Sequence, residues 1–337
     1  MKTNNKLSVA IAGGAGYTGG ELIRLLLLHP GVSLVSILSD SQAGKSVASI
    51  HRDLAGESLP VFEKELPDVD IRVLFLCLGH DRARAFLQDN KLDKVHHIID
   101  LSQDFRHQGN REACGRKFVY GLPESCLDPA EYAGSLHLAG NVANPGCFAT
   151  AIELALLPLA RAGLLKNDVH VHAITGATGA GSRLSETSHF PYRNNNLAVY
   201  KAFGHQHIKE IRETLSGVSG NGMPPLHFIP VRGDFPRGIL ASAYTSCNID
   251  REQAVDLYCE YYRLHPFVRV SEEEISMKEV VNTNKCSIHV QKHGHMIHIT
   301  SVIDNLLKGA SGTAVQNMNL LTGMPQTSGL HLKSIVY

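Results

Sequence analysis

The sequence carries no excess of charge of either sign: 32 Lys and Arg stand against 32 Asp and Glu in 337 residues. That excludes the basic footprint of a nucleic-acid binder, while single arginines remain available to hold a small anion. There is no C-x-x-C pair among the seven cysteines, at 77, 114, 126, 147, 247, 259 and 286. A structural zinc site is therefore not expected, and the odd, scattered set suits free thiols in a reducing cytosol. No apolar run approaches the roughly 18 residues of a membrane span; Arg24 and Glu153 break the longer ones. Met1–Lys6 lacks the apolar region of a secretion leader. The expectation is a soluble, cytoplasmic protein with neither a membrane nor a nucleic acid as partner. Repeats and low-complexity tracts are also missing. What is present is a hydrophobic fraction of 43%, enough for full cores in two domains of ordinary size.

The apolar pattern gives the fold class. Leu7–Ala12 is a short run ending in glycines, Leu22–Leu28 has helical character up to His29-Pro30-Gly31, and Ser33–Ser39 is apolar again. Strand, glycine turn, helix, strand is one βαβ unit with a parallel pair. Ile71–Leu78, Arg82–Gln88 and His96–Leu101 continue it as strand, helix, strand, with the uninterrupted apolar strands of a sheet covered on both faces. The character shifts near residue 145. Phe148–Ala162 is strongly helical, with Pro158 expected to kink or end it. His170–Thr175, Leu226–Pro230, Ile239–Cys247, Cys286–Val290 and Met296–Val302 read as strands, the last two joined by a turn at Lys292-His293-Gly294. With helices at His207–Leu215, Arg251–Leu264 and Thr313–Leu321, this half predicts a mixed sheet with helices on one side.

Three clusters carry chemistry. Gly13-Gly14-Ala15-Gly16-Tyr17-Thr18-Gly19 has the spacing G-x-x-G-x-x-G between a strand and a helix. Glycines let the backbone approach a pyrophosphate, and the helix start supplies free amides. At the end of the second strand, Asp40 would bond a ribose 2′-hydroxyl, whereas Ser39, Ser41 and Lys45 would hold a 2′-phosphate; the residues leave both open. Asn144-Pro145-Gly146-Cys147 precedes a helix and puts Cys147 in its first turn, where the helix dipole favours thiolate. His205 and His207 open another helix, where a neutral imidazole able to move a proton is expected. Being i and i+2, they are poorly spaced for a shared metal. His170 and His172 share a strand face without other ligands, and His289, His293, His295 and His298 read as surface or interface residues, so no metal site is assigned. Arg106 and Arg237 stand in loops next to strand ends, where guanidinium groups suit a phosphate or carboxylate.

With these motifs the whole chain resembles the N-acetyl-gamma-glutamyl-phosphate reductases. The resemblance rests on Gly13–Gly19, Ala43-Gly44-Lys45, Ile99–Arg106 (IDLSQDFR), Tyr120–Glu124 (YGLPE), Asn144–Cys147 (NPGC), Thr175–Gly181 (TGATGAG), Gly204–Ile211 (GHQHIKEI), Pro236–Ile239 (PRGI) and Gln316–Leu320 (QNMNL), in that order. It implies an α/β protein: a Rossmann dinucleotide-binding domain over 1–145, completed by a C-terminal helix within about 310–337, and an α+β catalytic and dimerisation domain over 146–309 like that of glyceraldehyde-3-phosphate dehydrogenase. It implies NADP as cofactor, held by Gly13, Ala15, Gly16, Tyr17, Thr18, Gly19, Ser39, Ser41, Lys45 and Asn317. Cys147 becomes the nucleophile and His205 the base, with His207 as the second claimant. Arg106, Asn144, His207 and Arg237 become substrate ligands, and the assembly a homodimer or homotetramer. The implied reaction reduces an acyl phosphate through a cysteine thioester in arginine biosynthesis; the acyl group, acetyl or succinyl, stays open. The sequence departs from the usual pattern at Gly14 (often Ala), Phe148 (often Tyr), Gln206 (often Arg) and Asp40 (basic in some members). A sibling dehydrogenase of aspartyl phosphate or a sugar phosphate, a catalytically silent NADP sensor and a cysteine hydrolase are the other readings of the same residues.

Overall fold

The computed structural model describes residues 6–220 and 222–335. Met1–Asn5, most of the stretch read above for a leader, and the last two residues of the C-terminal segment lie outside it. The chain divides into two compact units. One comprises the chain up to Gly121, Ala130–Pro145 and Ala310–His331; the other comprises Leu122–Pro129, Gly146–Gly309 and the tail from Leu332. The segment Leu122–Pro129 thus groups with the second unit although it precedes residue 145.

The first unit runs β1 (Leu7–Ala12), α1 (Tyr17–Leu27), β2 (Val32–Leu38), α2 (Val47–Ile50), β3 (Ile71–Leu76), α3 (Ala83–Asp89), β4 (Val95–Asp100), β5 (Glu112–Ala113), β6 (Arg116–Tyr120), α4 (Pro129–Ala139) and β7 (Gly140–Ala143). Its sheet has the order β2-β1-β3-β4-β7-β6-β5, parallel except for the short β5–β6 pair. Val9–Ala12, Val73–Leu76 and Ile98–Asp100 are buried on both sides of the pleat, as central parallel strands require.

The second unit runs α5 (Cys147–Arg161), β8 (Val169–Thr175), α6 (Phe190–Arg193), β9 (Ala198–Val199), α7 (His207–Ser219), β10 (Leu226–Arg232), β11 (Ile239–Ser246), α8 (Arg251–Tyr262), β12 (Val268–Ser271), β13 (Cys286–His293) and β14 (Met296–Ile303). Its sheet is mixed, in the order β12-β13-β14-β11-β8-β10-β9. Helices α5, α7 and α8 pack on one face. Val169, Val171 and Ala173 are fully buried on that face, while His170 and His172 lie on the other. His289, read above as surface or interface, is buried, and its Nδ1 bonds the Ser271 carbonyl. After β14 a π-helical turn, Leu307–Ser311, leads into α9 (Gly312–Leu321), which belongs to the first unit.

Pro158 neither ends nor breaks α5. Proline has no N–H to give the carbonyl four residues back. That carbonyl, of Leu154, accepts the Tyr262 hydroxyl, and the next one, of Ala155, accepts the Tyr258 hydroxyl. Two tyrosines from α8 thus satisfy the carbonyls around the lesion, and the helix continues to Arg161. No helix among the described residues is long and apolar enough to cross a membrane.

Candidate active site

In the first unit the glycine turn is built by close approach. Gly13 has φ +84°, and a Cβ there would lie 2.4 Å from the Cys77 carbonyl oxygen. A Cβ on Gly19 would lie 2.7 Å from the Gly13 oxygen, so α1 can reach the turn only with glycine at that position. Helix α1 starts at Tyr17 after Gly16, with no side-chain cap and no acidic residue in its first turn. A free helix start with positive partial charge fits a pyrophosphate. The amides of Gly13 and Gly14 donate to the Leu38 carbonyl at 3.0 and 2.9 Å. The turn therefore adjoins Ser39, Asp40 and Ser41 at the end of β2. Ser39 is buried, while Asp40, Ser41 and Lys45 are exposed, and Lys45 reaches Gln42 at 3.0 Å. The Ser311 hydroxyl donates to the Thr18 carbonyl at 2.9 Å, tying the start of the last helix to this turn.

Asn317 and Asn144 meet elsewhere in the same unit, as a buried network. Asn317 Nδ2 donates to the Gly121 carbonyl (2.8 Å) and to Asn144 Oδ1 (3.2 Å), and its Oδ1 accepts the Tyr132 hydroxyl (2.8 Å). Asn144 Nδ2 donates to the Ala310 carbonyl at 3.0 Å. Arg106 is buried; its Nε donates to the Asn144 carbonyl (2.8 Å) and its Nη2 to the Leu101 carbonyl (2.9 Å). These three side chains hold backbone in place.

In the second unit Cys147 is the first residue of α5, after Gly146. In this turn the Thr150 amide donates to the Gly146 carbonyl, and the first-turn amides of a helix start such as this lie beyond the helix's own carbonyl ladder. Glu210, buried on α7, accepts the Gly146 amide at 2.7 Å and ties the turn that bears Cys147 to the histidine helix. His205 lies just before α7, which starts at His207. Its ring stands 5.4 Å from Phe148, 4.7 Å from His207 and 5.7 Å from Tyr200. The His207 amide donates to His205 Nδ1 at 3.2 Å, which places the proton of the neutral ring on Nε2. Burial, then the charge of Lys201, pull the His205 pKa down to about 4, with Arg232 adding to them and Glu210 opposing. Lys201 and Phe203 have φ of +46° and +56°, so the loop that delivers His205 is held in a conformation costly for such side chains. Gly309, in the π-helical turn, has no room for a side chain: a Cβ would lie 2.8 Å from Cys147 Cβ.

Of the sequence-predicted residues of this unit, the structure clusters Cys147, His205 and His207. Arg237 is engaged otherwise: Nε and Nη2 grip Asp304, wholly buried, at 3.1 and 3.2 Å. Four residues of the cluster were assigned no site role by the sequence reading. Glu210 left a signal, a carboxylate one position before Ile211 on the apolar side of α7. Arg232 opens the arginine-bearing loop 232–238, in which the sequence reading favoured Arg237 instead, and Tyr200 and Gly309 left no signal, since only the fold brings them to Cys147.

Two domain descriptions match the chain: "Semialdehyde dehydrogenase, NAD binding domain" over residues 8–131 and "Semialdehyde dehydrogenase, dimerisation domain" over 147–305. The chain is 51% identical to an N-acetyl-gamma-glutamyl-phosphate reductase of Flavobacterium johnsoniae, covering 97% of this chain and 98% of that one. It is 48% identical to the protein of the same name from Bacteroides fragilis, with coverage of 97% and 98%. Among solved structures, aspartate semialdehyde dehydrogenase II from Vibrio cholerae has the same fold, with a TM-score of 0.73 at 16% identity over 94% of this chain and 99% of that one. An aspartate semialdehyde dehydrogenase with NADP from Candida albicans matches with a TM-score of 0.66 at 11% identity, covering 94% and 98%.

Proposed function

The chain belongs to the N-acetyl-gamma-glutamyl-phosphate reductase family of oxidoreductases, and from that premise we propose that it reduces N-acetyl-gamma-glutamyl phosphate to the 5-semialdehyde with NADPH, through a thioester on Cys147, as a step of arginine biosynthesis. The observation that carries this reading is Cys147 at the start of α5, with His205, its pKa lowered by burial, and His207 packed beside the same turn.

The Cys147 sulfur attacks the acyl-phosphate carbonyl, phosphate leaves with the C–O bond pair, and the acyl group stays on sulfur. Amides of the first turn of α5 stabilise the oxyanion of each tetrahedral species. A nicotinamide dinucleotide, when bound, would supply the hydride that reduces the thioester, after which the Cys147 sulfur leaves as aldehyde forms. His205, neutral with its proton on Nε2, donates a hydrogen bond to the oxyanion. To take the thiol proton it adopts the other tautomer, which gives up the contact with the His207 amide at a cost of about 1 kcal/mol. Gly13, Ala15, Gly16, Tyr17, Thr18 and Gly19 would hold the pyrophosphate. Ser39, Ser41 and Lys45 would take the 2′-phosphate, with Asp40 exposed to solvent. Asn317, and Asn144 with it, set the backbone of that unit, and His207 orients His205. The dimerisation-domain match supports a homodimer or homotetramer.

The test is phosphate-dependent reduction of NADP by the purified protein with N-acetylglutamate 5-semialdehyde, run beside NAD. Turnover with NADP that vanishes in Cys147→Ala is expected. Ordinary turnover in Cys147→Ala, or none in the wild type, overturns the reading.

A further inference from the structure

The substrate of the proposed reaction carries anionic groups, and the arginines expected to meet them are committed elsewhere. Arg106 holds the Asn144 and Leu101 carbonyls, and Arg237 holds Asp304. A third arginine is in a different state. Arg232 ends β10 on the side of the strand that carries Leu226 and Phe228, and Phe228 packs against both Phe148 and His205. Its guanidinium lies over the Tyr200 ring, 4.6 Å from the centroid. Its Nε is buried and has no hydrogen-bond partner among the described residues. A guanidinium keeps its charge at any working pH, so a buried donor of this kind is left without compensation unless an acceptor arrives. Tyr200 stands at the same place: its hydroxyl is pushed up to about 12 by burial and by the nearby Cys147 sulfur, with the charge of Arg232 and a side-chain hydrogen bond to it acting the other way, so that the Nε is the arginine's unmatched donor.

We propose that Arg232 is the anion-binding residue of this site, its planar fork receiving an oxyanion of the acyl-phosphate substrate beside Cys147, with Tyr200 as the surface on which the guanidinium is stacked. The shared chemistry is a two-oxygen anion, either the phosphate or a carboxylate of the acyl amino acid, since both match the fork. The assignment rests on the reaction proposed above. It gives Arg237 the part of a strut for Asp304.

The experiment measures KM and kcat in the oxidative direction for wild type, Arg232→Met and Arg232→Lys. The varied compounds are inorganic phosphate, N-acetylglutamate semialdehyde, its N-succinyl analogue and its α-carboxamide. Arg232→Met is expected to raise one of these KM values about 10- to 100-fold while kcat changes less, the loss of a charge-assisted hydrogen-bonded pair. Arg232→Lys is expected to recover part of the loss, as a point charge without the fork. A rise for phosphate alone assigns the leaving group. A rise for both semialdehydes that is absent with the carboxamide assigns the α-carboxylate. A rise for the succinyl compound alone assigns a carboxylate on the acyl group. Unchanged KM values for every compound in Arg232→Met overturn the proposal while leaving the reaction intact; if Arg232→Met does not fold, unchanged values in Arg232→Lys do the same. A wild type without turnover on any semialdehyde overturns the reaction itself.

Discussion

Glu210 and Gly309 shape the turn that carries Cys147. The Glu210 carboxylate fixes the amide before it, and Gly309 leaves room for its Cβ. Gly309→Ala puts a methyl 2.8 Å from Cys147 Cβ, so sulfur or turn must move. A displacement of about 1 Å at a reacting atom costs on the order of 10²-fold in rate, and we expect that loss in kcat with cofactor affinity, read by fluorescence titration, unchanged. Retained kcat would show that the turn yields. His205→Asn is expected to lower kcat by on the order of 10²–10⁴. The same histidine has a signature in stability. Its folded pKa of about 4 lies below the ordinary 6.5, so the unfolded chain binds the extra proton between those values. Its contribution is complete above about pH 6.5 and is lost as pH falls toward 4. Urea midpoints should fall over that window in the wild type and fall less steeply in His205→Asn; identical slopes would refute the assignment. At this scale the sequence made Cys147 legible because Pro145 and Gly146 end one segment immediately before another starts. Arg232 and Gly309 were illegible because their roles depend on distances between residues far apart in the chain.

Helix α5 survives a proline by borrowing hydroxyls from α8, and that arrangement can be taken apart. Tyr262→Phe leaves the Leu154 carbonyl without its hydroxyl donor, at a cost of about 1–3 kcal/mol. Pro158→Ala returns an N–H four residues on, so the same change should cost less in that background. Chemical denaturation of the four proteins reads the coupling; additive effects would mean that the tyrosine acts by packing alone. The elements that sequence reading found are those with a strong period, such as β1, α1, β3 and α5. Helix α4 escaped because only Tyr132 and Leu136 of its eleven residues are buried, too thin a stripe to announce a helix. The short strands β5, β9 and β12, of two to four residues, are defined by their partners and carry no pattern of their own.

At the scale of the molecule, the excursion Leu122–Pro129 is fastened to the rest of the second unit through a buried ion pair. Glu124 and Lys308 are both fully buried, 2.7 Å apart, and the Tyr261 hydroxyl bonds the Glu124 carbonyl. Burial opposes the Glu124 charge, but Lys308 and His265 outweigh it and bring its pKa below the ordinary carboxylate range. Lys308→Met leaves the carboxylate buried without its cation and should cost about 3–5 kcal/mol, with Glu124→Gln added restoring part of it. A midpoint shift equivalent to less than about 1 kcal/mol would mean that water or another cation reaches Glu124. No local pattern betrays this pair: the two residues are 184 positions apart.

That the first unit closes only with Ala310–His331 has a consequence for how the protein is made. Asn317 and the Tyr132 hydroxyl it accepts lie 185 positions apart, and Ser311 and the Thr18 carbonyl 293 apart. At a synthesis rate of ~5–20 residues per second, the ribosome needs roughly 10–40 s to go from Pro145 to the end of that last segment. Through that interval the nascent glycine-turn unit has all seven of its strands made and its final helix still unwritten, while the whole second unit emerges behind it. The last part of the message completes the first part of the fold, so a ribosome that stops before residue 310 releases a cysteine site without a finished cofactor unit.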